Sequence, residues 1–391
     1  VPSPGGRDFF MLKNIGEGEL YMKKDKKYME IAINLAKKGE GYTSPNPVVG
    51  AVVVKNGEII GKGYHQYFGG PHAEVYALEE AGEKAQGATI YVNLEPCCHQ
   101  GKTPPCTRKI INSGIEKVVI GMKDPNPRVQ GKGIEKLRAE GIEVKTGVLE
   151  EKAKKVNEIF IKYQTTDLPF VILKTASTLD GFLATSSGHS QWITNKKARQ
   201  YGHQLRHKVD AILVGIGTVL NDDPQLTTRL PEQRGKDSIR IILDTELRTP
   251  IEANIINESS EVKTIIVTRE DINKNKPEKY EQLQRKNEIK IMTYRLNSKK
   301  LIPIRKLLQD LHQKNISSIL IEGGGQVNYS FIQEKLIDKI YAFVAPKLLG
   351  GSDGVSLFQG KGPLNMDQVD YIKEMELEKL GDNFLVKGYI K

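Results

Sequence analysis

Short runs of β-branched and other apolar residues recur along this 391-residue chain, with helical patterns between many of them. The first half carries a run from Val48 to Val54, then ATIYVNLEP ending at Pro96, KVVIG over 117–121 and IEVKTG from Ile142. The second half carries FVILKTAS from Phe170, AILVG over 211–215, IRIILD over 239–244, KTIIV over 263–267 and SSILIEGGG over 317–325. Runs this short read as buried strands. Strands joined through helices run parallel, because a parallel neighbour needs a crossover. The pattern therefore predicts an α/β fold with a mainly parallel sheet in each half. One exception is local: Asn56-Gly57 after the first run suits a two-residue hairpin turn. Helices are predicted over 25–38, from Pro71-His72 onward, over 105–112 and over 133–140.

The length favours two domains. The reading divides the chain into an extension over 1–22, a first domain over 23–150, a linker over 151–168 and a second domain over 169–391. The linker falls in a charged helical stretch that ends at Pro169. Apolar residues at 38% and charged residues at 27% fit a soluble globular protein, and no apolar run reaches membrane-span length. The N-terminus lacks the basic start and apolar core of a secretory signal. There are three cysteines, and Cys97 and Cys98 are adjacent; that is no disulfide framework and suits a reducing cytoplasm. A formal charge of +10 is compatible with an anionic ligand: a phosphorylated metabolite, a dinucleotide or nucleic acid. The charge-rich segment from Thr268 to Lys290 reads as a solvated helix with loops.

All three cysteines lie in EPCCHQGKTPPC, and PHAEVYALEEA precedes it. Zinc favours nitrogen and sulfur donors, and a catalytic zinc keeps one position for water. His72, Cys97 and Cys106 supply such a set, while Glu74, two residues after His72, is placed as a proton shuttle. This is the H-x-E … P-C arrangement of zinc nucleobase deaminases. Eight residues separate the two cysteines, where the short motif has two. Cys98 and His99 then compete as ligands on paper. Adjacent residues project in different directions, so Cys98 reads as a bystander, whereas His99 would complete a structural four-ligand site. Lys102 and Thr103 sit in the extended loop, placed to contact a substrate.

In the second half, Glu322-Gly323-Gly324-Gly325 follows a strand and opens a helix, where backbone N–H groups can approach a phosphate. It is not a G-x-G-x-x-G fingerprint, and neither is GIGTVL from Gly215. Lys174, Arg206 and Arg229 are candidates for a substrate phosphate, although a lone arginine is usually a surface residue.

NPVVGAVVV, HAE, EPCCHQGKTPPC and DPNP resemble the deaminase half of the bifunctional riboflavin-biosynthesis deaminase/reductase family. KTASTLDGFLAT, SQWIT, VGIGTVLNDDPQLTTR and LIEGGGQVNYSFI resemble its reductase half. The resemblance implies a cytidine-deaminase-like α/β/α domain followed by a dihydrofolate-reductase-like α/β domain, with one zinc ion and NADPH as cofactors. It implies that Asn46 contacts the pyrimidine and that the 103–106 loop closes on the ribose phosphate. It implies Ala176, Trp192, Thr218, Asp222 and the glycine turn 322–325 at NADPH, and Ser190, Arg206, Leu226 and Arg229 at the sugar phosphate. The reactions implied are hydrolytic deamination of a phosphorylated diaminopyrimidine, then reduction of its ribosyl group to ribityl. A homo-oligomer in the cytoplasm is expected on the same ground, with no membrane and no nucleic-acid partner. The rival reading, a nucleic-acid-editing deaminase, shares H-x-E but needs aromatic stacking platforms beside basic residues.

Overall fold

The computed structural model describes residues 8–99, 104–127, 129–231, 235–257 and 262–390, with side chains described from Met22 onward. The chain divides into two compact units, Val1–Thr165 and Thr166–Lys391.

The first unit is a five-stranded sheet with helices on it. Helix α1 (Asp8–Ala36) is followed by the hairpin β1 (Gly50–Lys55) and β2 (Glu58–Tyr64). Then come α2 (Ala73–Ala81), β3 (Thr89–Leu94), α3 (Cys106–Asn112), β4 (Lys117–Met122), α4 (Lys132–Ala139), β5 (Glu143–Thr146), α5 (Glu150–Val156) and α6 (Glu158–Thr165). The sheet order is β2-β1-β3-β4-β5. β1 is antiparallel to both its neighbours, and β3, β4 and β5 run parallel. Asn56 and Gly57 both take positive φ, 53° and 84°, as a tight hairpin turn requires.

The predicted hairpin and strand positions recur, but two segments differ. Helix α1 begins well inside the stretch set aside as an extension; Met, Leu, Lys and Glu there favour continuation of the helix. Residues read as a linker are helical up to Thr165 and pack on the first unit, with Ala153 fully buried and Phe160 and Ile161 against the core.

The second unit holds a nine-stranded sheet in the order β11-β10-β9-β8-β12-β6-β13-β16-β15. Its strands are β6 (Phe170–Thr178), β8 (Ala211–Gly215), β9 (Ile239–Leu243), β10 (Thr264–Arg269), β11 (Ile289–Tyr294), β12 (Ser318–Ile321), β13 (Lys339–Ala345), β15 (Ile372–Leu380) and β16 (Asn383–Ile390). β7 (Phe182–Ala184) and β14 (Val355–Ser356) form a separate two-stranded sheet. Seven strands run parallel, and the terminal hairpin of β15 and β16 adds antiparallel to β13. Helices α7 (Lys196–Lys208) and α8 (Ile216–Asp222) flank β8, and a further helix, Gly325–Gln333, follows β12. The core strands are near-continuous apolar runs because both faces are covered: every residue of AILVG and SILI is buried.

Candidate active sites

In the first unit the site grows from the ends of two helices and one strand. Helix α2 lies directly against β2. A Cβ at Gly61 would collide with the Ala77 carbonyl oxygen, and one at Gly63 with that of Ala73. Only glycine allows this approach, and it fixes where α2 begins. His72 is the N-cap residue, and Glu74 falls in the first turn, where an acid suits the helix dipole. β3 ends at Leu94 and delivers Cys97 three residues later; α3 opens at Cys106.

His72 Nδ1 lies 3.1 Å from Cys106 Sγ and 3.5 Å from Cys97 Sγ, and the Cys106 N–H donates to Cys97 Sγ at 3.3 Å. The three ligand atoms lie within 4.8 Å of one another. Tetrahedral zinc with bonds of about 2.0–2.3 Å places donor atoms about 3.5–3.8 Å apart, so this set fits the metal. Among the described residues, Cys98 and His99 take no part in the cluster. Cys97 is pushed down to about 4, first by its hydrogen bond with the Cys106 thiol, against burial, and then by His72. The Cys97 hydrogen bond raises His72, and the same Cys97–Cys106 contact raises Cys106. Glu74 is buried, and burial raises its carboxyl. Its Oε2 has no hydrogen-bond partner among the described residues.

These residues meet at a cavity of about 360 Å³, lined by His72, Glu74, Cys97 and Asn46 among others. Asn46 is held by its neighbours: Asn93 and Asn157, both buried, clasp the Val48 backbone through four hydrogen bonds counting that to Gly50. Asn46 Nδ2 lies 3.2 Å from His65 Nε2, while His65 Nδ1 lies 2.9 Å from the Pro71 carbonyl. A carbonyl demands a donor, so Nδ1 carries the proton and Nε2 accepts from Asn46. His65, Phe160 and Gln164 also line this cavity and escaped the sequence reading. His65 carries no motif signal, and the other two lie in the stretch taken as a linker. Lys102 and Thr103 lie outside the described residues.

In the second unit a larger cavity, about 1290 Å³, opens at the carboxyl ends of β6, β8, β9 and β12. All the candidates of that half line it: Lys174, Ala176, Ser190, Trp192, Arg206 and Thr218, with Asp222, Leu226, Arg229 and the turn 322–325. Trp192 is 62% exposed, so it is no core residue, and the Arg199 guanidinium stacks 4.3 Å from its ring centre. Within the glycine turn the roles separate. A Cβ at Gly323 would press on Val327 and one at Gly325 on Ser356 and Gln359, whereas a Cβ at Gly324 would meet nothing within 4 Å. Gly324 thus leaves an open cradle at the helix start, as close approach of a phosphate requires.

The Glu322 side chain turns away from that role. Its carboxylate takes a two-point bond from Arg206, at 2.7 and 3.0 Å, and sits 3.4 Å from Lys174 Nζ. Burial would raise it, but Arg206 and then Lys174 hold it well below the usual carboxylate range. Lys174 and Arg206 share the one Glu322 carboxylate, and Arg229 lines the same cavity, so the wall around Glu322 keeps a positive surplus that suits an anionic substrate. Ser190 Oγ lies 3.5 Å from Asp222, whose carboxyl burial raises.

Comparison with known proteins agrees with both halves. Residues 22–122 match the cytidine and deoxycytidylate deaminase zinc-binding region, and residues 169–386 match the RibD C-terminal domain. The riboflavin biosynthesis protein RibD of Aquifex aeolicus is 46% identical over 365 residues, covering 93% of this chain and 97% of that protein. The chain belongs to the RibD family. The RibD of Escherichia coli is 38% identical over 375 residues, covering 91% of this chain and 97% of its own. Acinetobacter baumannii RibD superposes with a TM-score of 0.84 at 38% identity, over 95% of this chain and 99% of that structure. A Thermotoga maritima diaminohydroxyphosphoribosylaminopyrimidine deaminase/5-amino-6-(5-phosphoribosylamino)uracil reductase superposes at 0.82 with 41% identity, over 95% and 100%. The RibD assignment makes the first unit cytidine-deaminase-like and the second a RibD reductase domain of the dihydrofolate-reductase-like class.

Proposed function

We propose that this chain is a bifunctional enzyme of riboflavin biosynthesis. It hydrolytically deaminates 2,5-diamino-6-ribosylamino-pyrimidinone 5′-phosphate, then reduces the ribosyl group of the aminouracil product to ribityl. The observation that carries the reading is the convergence of His72, Cys97 and Cys106 beside a buried Glu74 oxygen that has no hydrogen-bond partner among the described residues. The corresponding units are Val1–Thr165 for deamination and Thr166–Lys391 for reduction, the helical stretch from Glu150 to Thr165 belonging to the first.

His72, Cys97 and Cys106 would hold zinc, and the metal supplies the Lewis acidity that makes water a nucleophile near neutral pH. Glu74 takes the proton of that water and returns it to the departing amine. Its raised carboxyl suits both halves of the relay, because a base that must also act as an acid works best with a pKa near the operating pH. Asn46, oriented by His65, would meet the pyrimidine edge, and by the family resemblance the 103–106 loop would close on the ribose phosphate.

In the second unit the bound cofactor would be NADPH, which supplies hydride to C1′ of the opened sugar. Ala176, Trp192, Thr218 and Asp222 with the turn at Gly324 would hold it. Glu322 belongs to this site through the cations it holds in place. Lys174, Ser190, Arg206, Leu226 and Arg229 would orient the phosphorylated sugar. The enzyme works in the cytoplasm as a homo-oligomer. The outermost strand β15 leaves Met375 and Leu377 each 67% exposed beside Phe384, an apolar edge that a second copy would cover. Among the described residues no helix is long and apolar enough to cross a membrane.

The test mixes purified protein with the diaminopyrimidinone substrate, with and without NADPH, and follows ammonia and reduced-nicotinamide absorbance together. Ammonia in both tubes, with absorbance falling only after it, is the expected result. Ammonia without NADPH consumption would refute the reductase half; neither signal from zinc-loaded protein would refute both.

A further inference from the structure

The segment 227–229 runs beside the second unit's cavity, which Arg229 lines, and side chains hold its main chain at each residue. Arg206 Nη1 donates to the Thr227 carbonyl at 3.0 Å. The Thr228 N–H donates to Asp237 at 2.6 Å. The Arg229 N–H donates to His203 Nδ1 at 3.2 Å. His203 and Arg206 stand three residues apart on α7, so they share a face, and both line the cavity. The Arg229 side chain itself is exposed on that wall.

A ring nitrogen that accepts a hydrogen bond carries no proton, so His203 is the neutral tautomer protonated at Nε2. Its surroundings agree: burial first, then the guanidinium groups of Arg206 and Arg229, push His203 down to about 4. An aspartate could accept the same bond but would cancel a charge of the anion receptor. Imidazole accepts without adding one.

We propose that His203 is a positioning residue for the phosphate end of the substrate: it pins the Arg229 backbone so that the guanidinium is held at the cavity wall. The inference rests on reading this cavity as the reductase site. Three variants separate it from a general structural role. His203→Ala should raise KM for the phosphorylated substrate about fivefold, the factor for one lost hydrogen bond. It should change kcat by less than about twofold and leave KM for the dephosphorylated substrate unchanged. His203→Asn, which restores an uncharged acceptor, should recover most of the loss. His203→Asp, which restores the acceptor with a negative charge, should not. NADPH affinity, read by quenching of Trp192 fluorescence, should be the same in all three. Equal losses on phosphorylated and dephosphorylated substrate, or rescue by Asp as good as by Asn, would overturn the proposal. A wild-type enzyme that binds no NADPH would overturn the underlying reading of the cavity instead, and the wild-type titration reveals that separately.

Discussion

Glu322 forms a buried ion pair with Arg206 in the second unit, and its removal is the sharpest test of the packing described. The carboxylate is buried and meets Arg206, itself only 15% exposed in its side chain, at two points, with Lys174 alongside. Replacing it with glutamine keeps the shape and one acceptor but removes the charge. Breaking a buried pair by removing one partner costs about 3–5 kcal/mol, because the remaining charge stays buried. Glutamine's residual acceptor should bring that to about 2–3 kcal/mol. The assay is urea unfolding followed by Trp192, the chain's single tryptophan, which lies in the same unit. Glu322→Gln and Arg206→Met should each destabilise, and the double variant should be far less damaged than the two combined. The sign with pH is fixed. The folded carboxyl is depressed, so its stabilisation is complete above the ordinary glutamate value of about 4.3 and is lost as pH falls through the lower folded value. The gap between wild type and Glu322→Gln should therefore close in acid. Additivity of the two single variants within about 0.5 kcal/mol would refute the coupled-pair account.

Other expectations follow from the same geometry. Glu74→Gln should retain zinc by metal analysis and lose deamination by roughly 10²–10⁴-fold, the span of general acid–base contributions. Cys106→Ser should lose zinc while Cys98→Ser keeps it, since only the former sulfur lies in the cluster. Gly63→Ala should destabilise the first unit by about 1–3 kcal/mol in a denaturant melt, because a Cβ there strikes the α2 backbone. The pKa of His203 is lowered in the fold, so tryptophan-detected stability should decline as pH drops from about 6.5 through about 4, and His203→Asn should remove that component.

Much of this was legible in the sequence because the signals were local. β-branched runs bounded by glycine or proline gave β1, β3, β4 and the central strands of the larger sheet. The zinc cluster was readable because zinc restricts both donor type and spacing. What escaped depended on partners outside the segment itself. β15 reads IKEMELEKL, rich in helix formers, yet it is a strand because β16 offers a ladder across the turn at Gly381. Seen along the sequence alone, Glu322 sat in a glycine turn and looked like part of a phosphate loop. Only the fold brings Arg206 and Lys174 to it from α7 and β6. The stretch after Leu149 looks like a tether because its charges are dense, but Ala153, Val156, Phe160 and Ile161 pack on the first unit's core.

That last feature sets where the two activities can be separated. Asn157 carries both the donor and the acceptor that the Val48 backbone needs, and Val48 lies two residues from Asn46. A gene cut before Asn157 would strip the first catalytic module of part of its own floor while leaving every zinc ligand in place. Such a fragment would keep the whole motif by inspection and lose the pocket it serves. A cut after Thr165 preserves it. The chemistry of one half therefore continues past the last residue that its motifs would suggest, and any scheme for exchanging or recombining these modules has to respect that later seam.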